Sequence, residues 1–398
     1  MYSHSEKARV TYKYDCIRGA FEGVIFSGLM TFGLLIAIRE FGAPAWIKSF
    51  LSINGGRLIT PLFLILGYRS CLAASRVCSL VLLATALFLF LVPFSHSLWF
   101  YAICVFMAYI FFAQPPPMMI QVYSQNYTPK ERGSRVSSIF VLSTTFGAIF
   151  ADFGGKLLDA DFSNFRILFI IMAICGLIAS WSLNKIPSEP LVKTETDDSN
   201  FWRNLKLAWK DKLFGWLLLA FILLTLGNSI AMPVRIEYLA QEKYGIDASN
   251  EIIALLVYGV PAILIILTIK LWGFIFDYLR FVTTRILSNI CFIASFIMFF
   301  STEDIYWLVV ASILNGIGVA GHIVMWHLWV TKIAPKHKVA AYMTVHTSLS
   351  GFKGILAPFI GYYLLHITTP LVVSYICVAL FALSCLMLAC VWNQERIR

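Results

Sequence analysis

The chain has 398 residues, of which 59% are hydrophobic and only 13% are charged, and its formal net charge is +10. A soluble domain carries about 25% charged residues, so this composition excludes an ordinary soluble protein. Basic loops beside anionic lipid account for the net charge, which therefore predicts no nucleic-acid partner.

Twelve apolar stretches follow one another along the chain, and each is long enough to cross a bilayer as a helix. A bilayer core about 30 Å thick requires about 20 apolar residues of helix. The sequence therefore predicts an all-α membrane protein whose first span is retained rather than cleaved as a signal peptide. The predicted spans are 17–39, 46–66, 73–93, 98–122, 135–156, 164–184, 213–236, 252–272, 284–301, 305–330, 339–364 and 370–392.

Lysine and arginine are concentrated in the N-terminal tail and in alternate loops, including 126–138 and the central loop 185–212. An even number of spans places both termini on one side of the membrane, and the positive-inside rule makes that side the cytoplasm. We therefore expect a multi-pass protein of the cytoplasmic (inner) membrane with both termini cytoplasmic. In the central loop, "FWRNLKLAWKDKLF" at 201–214 mixes apolar and basic residues at helical spacing, which predicts an amphipathic helix on the membrane surface.

The second half of the chain repeats features of the first at an offset of 206 residues. The sequence "PKER" at 129–132 returns as "PKHK" at 335–338, and the offset continues into the apolar stretch that follows. Two halves that run in the same direction form a parallel repeat about an axis along the membrane normal. The predicted domains are a six-helix bundle at 1–184, a cytoplasmic linker with the amphipathic helix at 185–212, and a second six-helix bundle at 213–398.

Four motifs at repeat spacing resemble those of the major facilitator superfamily, and the resemblance covers nearly the whole chain. They are "GFIFDYLRFVTTR" at 273–285, "PKERG" at 129–133, "GAIFADFGG" at 147–155 and "GILAPFIG" at 354–361. The resemblance implies the family fold of twelve helices in two six-helix bundles, and a transporter whose halves rock about a central site. Two positions depart from the family pattern, namely Cys71 in place of the usual Asp and Asp152 near the expected Pro.

Asp277 and Arg280 lie in the first of these motifs. By resemblance, Asp277 holds the cytoplasmic face of the second half closed, through its loop and the neighbouring helix ends. A helix N-terminus favours a nearby carboxylate, which gives this role a physical basis. The resemblance therefore makes Asp277 and Arg280 candidates for gating.

Four charged residues near the ends of spans are open to two interpretations each. Glu22, one turn after Arg18, either carries a coupling proton or pairs with a charge at the cytoplasmic end of span 1. Asp152 is a candidate for gating or coupling, or it simply pairs with Lys156 four residues later on the same helical face. Arg235 and Glu237, at the outer end of span 7, are expected to be solvated or to act in gating.

Two cations, Arg57 and Lys353, lie near the middle of spans 2 and 11. A charge at the bilayer centre is costly and normally faces protein or a water-filled cavity. In the family fold these two spans face each other, so the resemblance implies that both side chains approach a common central cavity. They then either bind an anionic substrate or are neutralised by structural partners, such as Glu22 for Arg57.

Two further segments carry polar groups at membrane depth. Gln114 precedes three prolines, which remove amide donors and predict either a hinge with a polar lining or a buried kink. In span 10, an amide, an imidazole and two indoles lie on one face of the helix, which suits the wall of a ligand cavity. Alternatively, Trp329 is an anchor at the membrane interface. The stripe consists of Asn315, Gly318, His322, Trp326 and Trp329.

These features favour a secondary transporter that moves a small solute by alternating access, and the two mid-membrane cations favour an organic anion. The candidate substrate-binding residues are Arg57, Lys353, Gln114, His322 and Trp326. The alternatives are a proton-coupled exporter of amphiphilic compounds and a sensor or scaffold with a transporter fold. The sequence has no CxxC pair and no Ser, His and Asp grouping, so we expect no enzyme, no cofactor and no metal. The expected partners are the substrate, a coupling ion such as a proton, and lipid, around a monomeric chain.

Overall fold

The computed structural model describes residues 4–52, 59–190, 201–335, 339–394 and 396. The regular structure of these residues is almost entirely helical, which confirms the all-α prediction. The α-helices are α1 (His4–Arg39), α2 (Ala45–Leu51), α3 (Thr60–Ser70), α4 (Ala74–Leu91), α5 (Leu98–Phe112), α6 (Pro115–Asn126), α7 (Pro129–Ala160), α8 (Phe165–Asn184), α9 (Phe201–Lys210), α10 (Lys212–Ala240), α11 (Asn250–Ala254), α12 (Val260–Tyr278), α13 (Phe281–Phe300), α14 (Ile305–Ile333), α15 (Val339–Ile367) and α16 (Pro370–Cys390). Short 3-10 turns lie at Val92–Phe94, Phe162–Asn164 and Glu242–Tyr244, and a π-helical turn at Leu255–Gly259.

Ten helical segments of the described chain are long and apolar enough to cross a membrane, and each overlaps one of the twelve predicted spans. Predicted span 46–66 corresponds to α2 and α3, which flank residues outside the described ranges. Predicted span 339–364 corresponds to α15, a helix of 29 residues. The largest difference in boundaries is at α1, which begins at His4 rather than at residue 17 and so includes much of the polar N-terminal tail.

The basic turn between α6 and α7 is shorter than the sequence suggests. Helix α6 ends at Asn126 and α7 begins at Pro129, because Thr128 and Glu131 form a capping box around the first turn. Proline is well suited to this first turn, where its missing N–H has no helical partner to lose. The basic residues of "PKERG" therefore belong to the start of α7 and not to a loop.

The prolines that follow Gln114 break the fourth predicted span into α5 and α6, as expected of a hinge or kink. The backbone N–H of Gln114 donates to the carbonyl of Phe111 (3.1 Å), so it is not available to Ile110. The side-chain amide of Gln114 donates to the Ile110 carbonyl instead, at 2.6 Å. The fully buried Gln114 side chain therefore satisfies a backbone acceptor that the break has exposed.

The described chain divides by its internal contacts into two compact units. The first unit contains residues 4–43, 59–190 and 249–259, and the second contains 44–52, 201–248 and the described residues from 260 onwards. Each unit thus includes a short segment from the other half of the sequence.

In the first unit, α1 and α7 approach closely at Gly23. A Cβ atom built on Gly23 would lie 1.9 Å from the carbonyl oxygen of Ser143, so a larger residue would force the helices apart. At the far end of α7, the Asp159 carboxylate accepts hydrogen bonds from the backbone N–H groups of Asn250 (2.7 Å) and Glu251 (2.9 Å). These are N-terminal donors of α11 that have no helical partner, so α7 fixes the segment that leads into the π-helical turn.

In the second unit, Asp211 joins the amphipathic helix α9 to α10. Its carboxylate accepts hydrogen bonds from the N–H of Phe214, from the Tyr342 hydroxyl (2.9 Å) and from Arg396 (2.8 Å). Partial burial raises the pKa of Asp211. The hydrogen bonds from these groups lower it by more than burial raises it, so the pKa of Asp211 lies below its ordinary value. The junction is therefore held by a carboxylate that stays ionised at neutral pH.

Candidate functional site

Of the two predicted substrate cations, Arg57 lies outside the described residues. Lys353 is half-buried on α15. Its ammonium group donates hydrogen bonds to the carbonyl of Thr225 (3.2 Å) and to the hydroxyl of Ser229 (3.4 Å), both on α10. Lys353 is therefore anchored to two successive turns of α10.

The aromatic part of the predicted stripe lies on one face of α14 and contacts α15 and α10. The rings of His322 and Trp326 are 5.4 Å apart, and Trp326 lies 4.2 Å from the ring of His346 on α15. Trp329 is fully buried and stacks on Phe221 of α10 at 4.5 Å. Its burial excludes the alternative that Trp329 is an interfacial anchor.

Arg285 is a residue of this site that the sequence analysis did not identify, since it lies at the very start of predicted span 9, as the last residue of a family motif. It lies in the second turn of α13 and is 0% exposed. Its Nη2 atom lies 2.9 Å from Nδ1 of His322, which accepts the hydrogen bond because a guanidinium only donates. Its Cζ atom lies 4.8 Å from the centre of the Phe221 ring, a cation–π contact.

The charge of Arg285 is not balanced by any carboxylate in the part of the chain that the structure describes. Its Nε and Nη1 atoms have no hydrogen-bond partner there. An uncompensated buried charge costs several kcal/mol, and a cation–π contact offsets only about 0.5–2 kcal/mol of that. Asn289 Oδ1, one turn further along α13, and Trp329 Nε1 are also buried without a partner. The arrangement suits a bound anion with hydrogen-bonding groups.

These side chains meet along one face of α10, because Phe221, Thr225 and Ser229 follow at intervals of four residues. Arg285 contacts the first of them and Lys353 the other two, and one helical turn advances 5.4 Å. The two cations are therefore held at adjacent turns of α10. We call this set the cationic site; it consists of Phe221, Thr225, Ser229, Arg285, His322, Trp326, Trp329, His346 and Lys353.

The two charged residues at the end of span 7 are buried, so the alternative that they are solvated is wrong, and the gating alternative stays a prediction. Arg235 is 1% exposed, lies 4.1 Å from the Phe299 ring and donates to the Ser312 hydroxyl at 3.3 Å. Glu237 is also 1% exposed and accepts from Lys48 of α2 at 2.6 Å. A partner 189 residues away in sequence provides the compensation that this carboxylate needs in order to be buried.

In the first unit, the carboxylates predicted for coupling or gating both form ion pairs. Glu22 pairs with Arg18, which also contacts Asp15 and the Tyr123 hydroxyl. Asp152 pairs with Lys156 at 2.9 Å, as its spacing on the helix allows.

The motif residues at the end of α12 have few contacts. The Asp277 side chain is exposed, and Arg280 donates to the carbonyl of Trp392 at 3.5 Å. The gating role of Asp277 and Arg280 stays a prediction from the family resemblance. Among the described residues, no cluster of three or more His, Cys, Asp or Glu side chains could hold a metal ion.

A sequence model of the Major Facilitator Superfamily matches residues 28–358 and 271–396. These two matches together extend over most of the chain and include both predicted halves. No curated protein matches the chain in sequence.

Several solved structures have the same fold at low sequence identity. A mutant of the nucleoside transporter NupG has a TM-score of 0.77 and 14% identity, covering 96% of this chain and 100% of that chain. The human organic anion transporter MFSD10 (TETRAN) has a TM-score of 0.62 and 13% identity, covering 96% and 99%. A POT family transporter in complex with 5-aminolevulinic acid has a TM-score of 0.69 and 13% identity, covering 96% and 95%. At such identities the similarity shows the fold alone.

Proposed function

This chain belongs to the major facilitator superfamily of membrane transporters and has its fold, and from that premise we propose that it is a secondary active transporter of a small organic anion. The two halves would move the anion across the cytoplasmic membrane by alternating access. The positive-inside distribution of Lys and Arg supports the inner membrane and cytoplasmic termini. The structures named above are described as transporters of nucleosides or organic anions, or hold 5-aminolevulinic acid, so the same fold accommodates small solutes.

The observation that carries the choice of an anion is the uncompensated charge of Arg285. An anionic group bound at the cationic site would accept hydrogen bonds from the Nε and Nη1 atoms that have no partner in the described protein. The Nε–H and Nη1–H groups lie on opposite sides of the planar guanidinium, so each can give an anionic oxygen a separate charge-assisted hydrogen bond. Lys353 of α15 contacts α10 one turn beyond Phe221 and would add a second positive charge.

The aromatic rings beside the two cations support an organic rather than an inorganic anion. His346, Trp326 and His322 form a continuous chain of ring contacts next to Arg285. Rings in such positions contribute about 0.5–1.5 kcal/mol per well-oriented contact with a planar group. A molecule that combines an acidic group with a planar or cyclic part would therefore use both components of the cationic site.

A thermal-shift screen of the purified protein with matched pairs of ligands tests the proposal. Each pair is an organic acid and its uncharged methyl ester or amide. A ligand at 100 times its Kd stabilises the folded state by about 2.7 kcal/mol, so acids that bind should raise the melting temperature while their neutral partners do not. The variant Arg285→Gln should lose this response, and Arg69→Gln, a change at an exposed arginine of α3, should keep it. Equal stabilisation by acids and esters would contradict an anion-selective site.

A further inference from the structure

The second unit contains another buried arginine, Arg235 of α10, which the anion proposal does not use. Its side chain is almost completely buried and contacts two other helices. Its Cζ atom lies 4.1 Å from the centre of the Phe299 ring of α13, and its Nη2 atom donates to the Ser312 hydroxyl of α14 at 3.3 Å. Arg235 therefore places a positive charge in the interior of the second unit, among α10, α13 and α14.

The charge of Arg235 is not balanced by a carboxylate among the residues that the structure describes. Glu237 is only two positions further along α10, but successive side chains of a helix are about 100° apart, so the two point in different directions. Glu237 pairs instead with Lys48 at 2.6 Å and with Lys243 at 3.7 Å. A buried cation without a counter-charge is destabilising, and an arginine cannot lose its proton to relieve that cost. A bound negative ion would supply the missing charge.

Three hydrogen-bond donors of Arg235 and of the facing side of α14 have no acceptor in the described parts of the chain. The Nε atom of Arg235 and the Nδ2 atom of Asn315 are buried without a partner. The hydroxyl of Ser312 accepts its hydrogen bond from Arg235, so its own proton is available to an anion. Ser312 and Asn315 are three positions apart and share one face of α14. Charge and donors together indicate an anion-binding site.

The helices next to Arg235 are closely joined, which favours a small ion over an organic acid. The Ser295 hydroxyl of α13 donates to the carbonyl of Ala311, the residue before Ser312, at 2.7 Å. One turn beyond Arg235, the Tyr238 hydroxyl of α10 donates to the carbonyl of Thr302 at 3.0 Å. A halide ion is spherical and accepts hydrogen bonds from any direction, so it suits donors that come from two different helices.

We propose that Arg235, Ser312 and Asn315 bind a chloride ion, which balances the charge of Arg235 and links α10 to α14. The inference does not depend on the proposed function, because the ion would be a fixed part of the second unit rather than the transported solute. Only the folded protein has this site, so chloride should stabilise the folded state by mass action.

Thermal unfolding of the purified full-length protein at different chloride concentrations tests the site. Potassium gluconate, whose anion is bulky, is replaced stepwise by potassium chloride at constant ionic strength. The melting temperature of the wild type should rise to saturation, by about 3–6 °C at ten times the Kd for a unit of 150–250 residues. Potassium bromide should produce a similar rise, and anomalous scattering from crystals grown in bromide should place one ion in contact with Arg235.

Four variants locate the response. Arg235→Met should abolish it and fold normally, because the buried charge is removed together with its donor. Asn315→Leu keeps the charge but loses one donor, so it should raise the Kd for chloride about tenfold. Arg69→Met, at an exposed position of α3, should leave the response unchanged. Arg285→Gln should also keep it, which separates the chloride site from the cationic site and from any effect of gluconate there.

The chloride site would be overturned by a wild-type melting temperature that does not respond to chloride. An equal rise in Arg235→Met, or loss of the rise in Arg285→Gln, would overturn it as well. If Arg235→Met does not fold, Asn315→Leu decides, and an unchanged Kd for chloride in that variant would reject the site. The organic-anion proposal is tested separately, since it stands or falls with the response to acids and not with the response to chloride.

Discussion

Replacing Arg285 by methionine removes a buried charge while keeping most of the apolar stem of the side chain. The substitution forfeits a cation–π contact of about 0.5–2 kcal/mol and one hydrogen bond of about 1 kcal/mol. It also abolishes the desolvation penalty of an uncompensated guanidinium, which is several kcal/mol. These terms nearly cancel or favour the variant, so the empty protein should be as stable as the wild type or more stable.

Binding of an acid should respond in the opposite direction. A charge-assisted hydrogen bond is worth about 1.5–3 kcal/mol, and 1.4 kcal/mol is a factor of ten in affinity, so Arg285→Met should weaken acid binding ten- to a hundredfold. Arg285→Lys should recover only part of the affinity, because the compact charge of an ammonium group replaces the planar guanidinium and its several donors.

Melting curves with and without the acids found in the screen measure both quantities in one experiment, and Arg69→Met serves as the matched control. If Arg285 were instead a structural residue with an essential partner, its removal would cost about 3–5 kcal/mol. At roughly 2–4 °C per kcal/mol for a domain of 150–250 residues, the melting temperature would fall by about 10 °C. Such a fall, together with unchanged acid affinity, would refute the assignment.

Three further outcomes are expected. Single cysteines introduced at Ser163 and Ser301 in a cysteine-free background should react with an impermeant reagent from outside the cell, and one at Ser134 should not. Labelling at position 134 would show that the chain has the opposite orientation in the membrane. Asp277→Asn should slow transport without changing the melting temperature, and wild-type uptake rates in this variant would remove Asp277 from gating. Lys353→Gln should weaken acid binding about tenfold, which corresponds to a loss of roughly 1.4 kcal/mol. Titration of the variant with the acid measures this affinity, and an unchanged Kd would show that the anion contacts Arg285 but not Lys353.

Features that depend on neighbouring residues could be predicted from the sequence. The break at Gln114 follows from three consecutive prolines, and the pairing of Asp152 with Lys156 follows from helical spacing. The start of α7 was placed too late, although Thr128 and Glu131 encode it locally, since a capping box involves only four residues. Such signals are independent of the rest of the fold.

Features that depend on distant residues could not be predicted in the same way. The burial of Glu237 could not be predicted, because its partner Lys48 is 189 positions away and belongs to another predicted span. Arg285 was not singled out because it lies one residue into predicted span 9, where a basic residue is typical of the cytoplasmic membrane surface. A signal was nevertheless present: Arg285 and Asn289 share a helical face, and His346 precedes Lys353 by two turns on the same face of α15. Polar residues at such spacing within an apolar helix indicate a common buried site.

Uptake by proteoliposomes tests the central proposal most directly. Vesicles containing the wild-type protein are incubated with a defined mixture of organic acids and their uncharged analogues, and the captured compounds are identified by mass spectrometry. The account predicts that one or a few acids accumulate, that no neutral analogue does, and that accumulation is lost with Arg285→Met but kept with Arg69→Met. The account would be contradicted if neutral analogues accumulated in preference to acids. It would also be contradicted if acids bound without any uptake, as expected of a sensor with a transporter fold.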